Sequence, residues 1–157
     1  MEKIAFISGA NRGIGLETAK RLGETGVNVI IGSRDLDKGI KAADSLIAKG
    51  IKAEAIQYDA LDPKAPEKVF NYINDKYKKL DILINNAGVA LEPLFCKNRS
   101  TVSDKIIKDT YQTNLFSVIA LTQKLLPLIK GSDAGRIVNV STILSSLTLQ
   151  SKTDSPI

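Results

Sequence analysis

The stretch Ser8-Gly9-Ala10-Asn11-Arg12-Gly13-Ile14-Gly15 decides the fold of this chain. It follows a short apolar run, Ile4 to Ser8, and leads into Ile14, Thr18, Ala19 and Leu22, which recur at helical spacing. A strand feeding a glycine-rich turn and then a helix is the layout of a phosphate cradle. Gly9 lets the chain leave the strand sharply, Gly13 lets the backbone approach a pyrophosphate, and Gly15 packs the helix close to the sheet. The helix start adds unpaired N–H groups and a positive dipole end, both suited to phosphate. A glycine-rich turn without a ligand is the competing explanation, and the flanking strand and helix weigh against it.

Outward from that loop, two hydrophobic periods alternate. Val27 to Ile31 predicts a second buried strand, and Ile40, Ala43, Leu46 and Ile47 the inner stripe of a helix that Gly50 closes. Ile51 to Tyr58 predicts a third strand; Val69, Phe70, Ile73 and Tyr77 follow at helical spacing. Leu80 to Ile84 is a fourth strand running into Asn85 and Asn86, and residues 87–101 are irregular. Ile107, Thr110, Asn114, Val118, Leu121 and Leu125 form one long helical stripe that ends near Pro127, before a fifth strand from Arg136 to Val140. Such alternation predicts an α/β fold: a doubly wound, Rossmann-like parallel sheet with helices on both faces and a nucleotide crevice at its switch point. Residues 1–150 make the dinucleotide-binding domain, and residues 151–157 a loop-like polar tail.

Composition removes several function classes. With 157 residues, 43% of them hydrophobic, the chain can bury a core, and a quarter charged residues fit a folded domain. Twenty-two Lys and Arg against 17 Asp and Glu give a net charge of +5, but the lysines are scattered over polar helix faces and few aromatics interleave with them. No nucleic-acid partner is expected. There is one cysteine, Cys96, and no histidine, so a His-dependent nucleophile is excluded and neither a disulfide framework nor a zinc site is expected. No membrane partner is expected either: no apolar run is long enough to span a bilayer, and Glu2 and Lys3 lead straight into the first strand, so a cytoplasmic address is the default.

The chain resembles the short-chain dehydrogenase/reductase family. Its glycines follow that family's Gly-x-x-x-Gly-x-Gly order, and Asn85-Asn86-Ala87-Gly88 matches the Asn-Asn-Ala-Gly segment after the fourth strand. Asp59, Asn114 and the run Gly135 to Thr142 match in the same order, so the resemblance covers residues 1 to about 150. It implies a five-stranded sheet of order 3-2-1-4-5 and transfer of a nicotinamide hydride to a small-molecule carbonyl, or from an alcohol. The look is closest to the carbonyl-reductase-like branch. The implied cofactor site comprises Gly9, Asn11, Arg12, Gly13, Ile14, Gly15, Arg34, Asp59, Ala60, Asn86, Ala87 and Gly88, with Asp59 beside the adenine.

Cofactor choice follows from charge. NAD-preferring Rossmann enzymes carry an acid at the end of the second strand, where this chain has Ser33 in Gly32-Ser33-Arg34-Asp35. Arg34 and Arg12 would clamp a 2′-phosphate, since guanidinium forks match phosphate geometry, so NADP(H) is favoured over NAD(H). The competing reading is that Arg34 merely pairs with Asp35. Two more residues carry two readings each. Asn114 is either a satisfied core asparagine or, by the resemblance, a holder of a proton-relay water. Asn86 either binds the cofactor ribose or pins the sheet edge.

The catalytic inventory departs from the family. Its catalytic serine is the second of a Ser-Ser pair; here the pair is Ser141-Thr142, and threonine's extra methyl restricts χ1. Thr142, Ser141, Ser145 and Ser146 are the candidates. The family's Tyr-x-x-x-Lys should follow the fifth strand, and the expectation is that this chain stops first, leaving a truncated, weakly active or inactive form. One such string exists, Tyr72 to Lys76, but it lies on the third helix, across the sheet from the nicotinamide. Phe95 and Cys96 are candidate lining residues of a substrate approach, or ordinary loop residues. A non-catalytic nucleotide-binding module is the alternative. In it, Ile137, Val138 and Val140 form an exposed edge at which the fifth strand pairs with its copy in a second chain.

Overall fold

Ile4–Ser8 is apolar at nearly every position, and as the central strand β1 it is buried along its whole length. A computed structural model describes residues 2–91 and 102–142. After β1 come α1 (Gly13–Glu24), β2 (Asn28–Ser33), α2 (Leu36–Ile47), β3 (Ala53–Gln57), α3 (Ala65–Tyr77) and β4 (Ile82–Asn85). Then α4 (Asp104–Tyr111) passes through a π-helical turn (Gln112–Phe116) into α5 (Ser117–Lys130), and β5 (Arg136–Asn139) follows. The five strands form one parallel sheet of order β3-β2-β1-β4-β5. This is the doubly wound, Rossmann-like arrangement that the alternation predicts. The stretch 143–150, with Ser145 and Ser146, the 151–157 tail, and Phe95 and Cys96 all lie outside the described residues.

Each face of the sheet carries its own core. Ala5, Ile7, Val29, Ile31 and Ile84 pack under α1 and α2, against Ala19, Ala43 and Leu46. Ile4, Phe6, Ile30 and Leu83 pack under α3 and α5, against Val69, Ile73, Leu121 and Leu125. The strands read as continuous apolar runs for this reason: helices cover both sides. Among the described residues, no helix is long and apolar enough to cross a membrane.

Three details differ from the periodicity. On α2 the buried stripe is Gly39, Ala42, Ala43 and Leu46, whereas Ile40 and Ile47 are exposed. The face has turned by one residue because small side chains let the helix sit close: a Cβ at Gly39 would lie 3.0 Å from that of Ser33. Ile14 is not an inner-stripe residue but is 70% exposed at the start of α1. The long helix is not one stripe either. The π-turn inserts an extra residue into its ladder, and from there the buried face runs Thr113, Ser117, Leu121, Leu125, Leu128 and Ile129. That helix also passes Pro127, which lies on its exposed side, and ends at Lys130.

A buried carboxylate ties the far end of the sheet. Asp81 accepts from the Ile4 amide (2.8 Å), from Ser132 Oγ (2.5 Å) and from Lys79 Nζ (3.1 Å). Burial alone would raise its pKa, but these donors outweigh it and hold the carboxyl below the ordinary aspartate value. The starts of β1 and β4 and the turn before β5 are fixed together, which leaves the opposite, C-terminal edge to carry the site.

Candidate active site and cofactor cleft

Because all five strands run the same way, the residues that follow them gather along one edge. After β1 the chain turns at Gly9 (φ 66°) and again at Gly13 (φ 59°), a left-handed conformation that side chains with a Cβ rarely adopt. A Cβ at Gly9 would lie 2.9 Å from Ala87 Cα, and one at Gly15 only 2.5 Å from Asn86 Nδ2, so those two glycines serve close packing. Among the described residues a Cβ at Gly13 would meet nothing within 4 Å, so the space over the loop there is open to them.

The start of α1 faces that space without a cap. Arg12 makes no side-chain cap bond and the first turn holds no acid, whereas Asp35 caps α2 and Ser103 caps α4. The first amides of α1 are thus left for an outside acceptor, with the positive end of the helix dipole behind them. Ile14, a large apolar side chain, stands exposed beside them. Bare amides, an open cradle and an apolar lip are what a dinucleotide pyrophosphate requires, so the residues present fit that group.

Ser8 and Asn86 lock the cradle to β4. Ser8 Oγ accepts from the amides of Asn86 and Ala87, both at 3.0 Å, and Asn86 Nδ2 donates to the carbonyls of Ser8 and Gly9, also at 3.0 Å. The side-chain amide of Asn86 therefore pins the loop. Asn85 extends the lock sideways, donating to Thr122 Oγ1 on α5 (3.1 Å) and to Asn139 Oδ1 on β5 (2.8 Å). Its own Oδ1 is buried without a hydrogen-bond partner among the described residues. The sequence motif names Asn85, but nothing in its spacing points to Thr122 or Asn139 as partners.

Asn114 lies in the π-turn and is exposed, not a buried core asparagine. The inserted residue swings it toward the segment after β4, where Oδ1 accepts from the Val89 amide and Nδ2 donates to the Val89 carbonyl, each at 2.8 Å. That two-point grip holds the chain just beyond Asn86-Ala87-Gly88. Ser141 and Thr142 follow β5 on the same edge, continuing from Val140, whose amide donates to the Asn85 carbonyl at 2.9 Å.

The end of β2 is arranged for an anion. Ser33 is buried and donates to the Asp35 carbonyl at 2.7 Å. The Asp35 carboxylate is spent on α2: it accepts from the Lys38 amide (3.2 Å) and pairs with Lys38 Nζ (2.9 Å), bonds that hold its pKa below the ordinary value. Arg34 therefore does not pair with Asp35. Among the described residues neither Arg34 nor Arg12 forms an ion pair, and both are exposed. Gln57, on β3, steadies the Arg34 backbone by donating to its carbonyl at 3.3 Å. Asp59 closes the neighbouring loop, with Oδ1 accepting from the Leu61 amide at 3.0 Å, and Ala60 packs on the core beside it.

Tyr72 and Lys76 are placed elsewhere. The Tyr72 hydroxyl and the Tyr77 hydroxyl both donate to the Glu54 carboxylate on β3, and Lys76 Nζ reaches it at 2.6 Å. β3 and β5 are opposite edges of the sheet, about 19 Å apart at roughly 4.8 Å per strand spacing. Burial and the adjacent carboxylate push the Tyr72 phenol up to about 12, away from the range useful for proton donation.

Comparison with known proteins agrees with this geometry. A family profile described as short chain dehydrogenase matches residues 3–152. Short-chain dehydrogenase/reductase 1 of Saponaria officinalis is 36% identical over 160 residues, covering 90% of this chain and 53% of that protein. Carbonyl reductase [NADPH] 1 of Mus musculus is 33% identical over 148 residues, covering 94% and 51%. The solved menthone neomenthol reductase of Mentha piperita superposes with a TM-score of 0.83 at 31% identity, covering 93% of this chain and 62% of that one. The chain spans about half the length of the curated relatives it matches.

Proposed function

Because the chain belongs to the short-chain dehydrogenase family, we propose that it holds NADP(H) along the C-terminal edge of its sheet and serves the reduction of a carbonyl compound. The observation that carries the cofactor choice is the pair of unpaired guanidiniums, Arg12 and Arg34, flanking a buried Ser33 where an acid would select NAD(H). Bound there, the nicotinamide supplies or accepts the hydride. The chain's own groups do the rest. The first amides of α1, from Gly13 to Gly15, with Asn11 and Ile14 beside them, hold the pyrophosphate. Arg12 and Arg34 grip the 2′-phosphate. Gly9, Asp59 and Ala60 border the adenosine half, and Asn86, Ala87 and Gly88 form the floor toward the nicotinamide. Thr142, with Ser141 as its neighbour, polarises the carbonyl, and Asn114 supports the relay of protons.

Tyr72 is the one tyrosine with a lysine four residues on, and Glu54 engages it at the far edge of the sheet. A positioned general acid contributes about 10² to 10⁴ in rate, so the 157 residues alone bind the cofactor and turn over carbonyls weakly or not at all. The same placement favours a second reading, a nucleotide-binding module without catalysis. Calorimetric titration of the chain with NADPH and with NADH tests the cofactor reading. NADPH is expected to bind at least about tenfold more tightly, with the gap closing in Arg34→Glu. Equal affinities sink the NADP(H) preference, and no binding of either sinks the cofactor reading altogether. Turnover of a carbonyl panel then separates the enzyme from the bare module.

A further inference from the structure

The buried face of α5 is apolar along Leu121, Leu125, Leu128 and Ile129, but it begins with two hydroxyl residues, Thr113 and Ser117. A buried hydroxyl costs stability unless it is hydrogen-bonded. Ser117 finds its partner in the helix ladder. In a regular α-helix the Ser117 amide would donate to the Thr113 carbonyl, four residues back. Here it donates to the Gln112 carbonyl, five residues back, because the turn Gln112–Phe116 is π-helical. The Ser117 amide passes over the Thr113 carbonyl, and the Ser117 hydroxyl takes it up at 2.7 Å.

This is not ordinary back-bonding, in which the amide and hydroxyl of one serine share a single carbonyl. At Ser117 the two donors serve different carbonyls, so the hydroxyl stands in for the amide that the π-turn has moved. Tyr58, buried just past β3, hydrogen-bonds the same side chain. One serine therefore fastens the wide turn both to its own backbone and to the end of a neighbouring strand.

We infer that Ser117 is a positioning residue of the cleft: its hydroxyl holds the helix in the π-helical phase that sets Asn114 on Val89. Alanine at 117 removes that donor and leaves the amide at 117 as the group to satisfy the Thr113 carbonyl. The ladder then closes to its regular period, and Asn114 turns away from the Val89 amide and carbonyl, which it holds at 2.8 Å each. Val89 directly follows Asn86-Ala87-Gly88, the floor toward the nicotinamide. Freeing it loosens that end of the cleft and spares the adenosine end, where Arg12 and Arg34 stand. This division rests on the proposed binding of NADP(H); the link from Ser117 to Val89 does not.

Amide exchange followed by NMR on the chain without cofactor reads that link. In Ser117→Ala the Val89 amide is expected to exchange about tenfold faster, while the amides of β1 and β4 keep their protection. Calorimetric titration with NADPH and with adenosine 2′,5′-bisphosphate reads the consequence. Ser117→Ala is expected to weaken NADPH about fivefold and to leave the bisphosphate unchanged. Asn114→Ala should weaken NADPH as much, and the double variant no more than Asn114→Ala alone, because one residue acts through the other. A Val89 amide that exchanges as in the parent overturns the proposal. So does NADPH affinity that ignores the freed Val89, an equal loss for both ligands, or losses that add in the double variant. A parent chain that binds neither ligand refutes the cofactor reading instead, and Val89 exchange then decides the role of Ser117 by itself.

Discussion

Alanine at position 13 would point a methyl group into the open cradle. Among the described residues that methyl meets no atom within 4 Å, so its cost there is confined to the backbone. At φ 59° an L-residue pays about 1–2 kcal/mol. For a domain of this size the loss lowers Tm by about 2–8 °C. Gly26 provides the matched control: its φ is 88°, a Cβ there also meets nothing within 4 Å, and it lies in the turn after α1, away from the cleft. Gly13→Ala and Gly26→Ala should therefore melt alike. They should differ in NADPH affinity, measured by calorimetry. The methyl at position 13 stands over the amides that would hold phosphate, and a loss of tenfold or more, about 1.4 kcal/mol, is expected; Gly26→Ala should bind as the parent does. If Gly13→Ala keeps full affinity, or if Gly26→Ala loses as much, the open cradle is not where the pyrophosphate sits.

Two further outcomes concern the remainder of the fold. Asp81→Ala strips the acceptor from Ile4, Ser132 and Lys79 and should cost about 3–5 kcal/mol in urea unfolding at pH 7. The Asp81 pKa is lowered on folding, so its stabilisation is present above the unfolded value near 3.8 and lost as pH falls through the folded one. The gap between parent and variant should then shrink below pH 4, and a gap that ignores pH would refute the assignment. Tyr72→Phe removes one donor from Glu54 and should cost about 1 kcal/mol in stability while leaving NADPH affinity unchanged. A variant that no longer binds NADPH would place that tyrosine in the site after all.

The alternation of five strands with helices was legible in the sequence because the strands are apolar on both faces, and the sheet order came from the family resemblance. The segment Asn85-Asn86-Ala87-Gly88 was legible as a motif after the fourth strand, whereas the capping of α2 by Asp35 was not read from the sequence. The misses share a cause. Hydrophobicity alone points Ile40, Ile47 and Ile14 inward, yet the small residues Gly39, Ala42 and Ala43 set how closely α2 approaches, and Ile14 stands exposed at the start of α1. A stripe that puts Asn114 inward assumes 3.6 residues per turn throughout, and the π-turn breaks that period. The Asn85 bridge to Thr122 and Asn139 joins three elements far apart in the chain, and no local pattern encodes it.

That π-turn also makes the helix pair sensitive to the reading of a single codon. An inserted residue shifts the phase of a helix by about 100°, so α4 and α5 present faces set by one extra amino acid rather than by their side chains. An in-frame loss of one residue between Gln112 and Phe116 would let the regular ladder close again. The packing of α5 on the sheet, built on Leu121 and Leu125, would be kept, and everything before the deletion would rotate about the axis. Asn114 would swing off Val89, and the wall of the cleft would lose its grip with no core residue changed. In this stretch, the length of the gene matters more than its spelling.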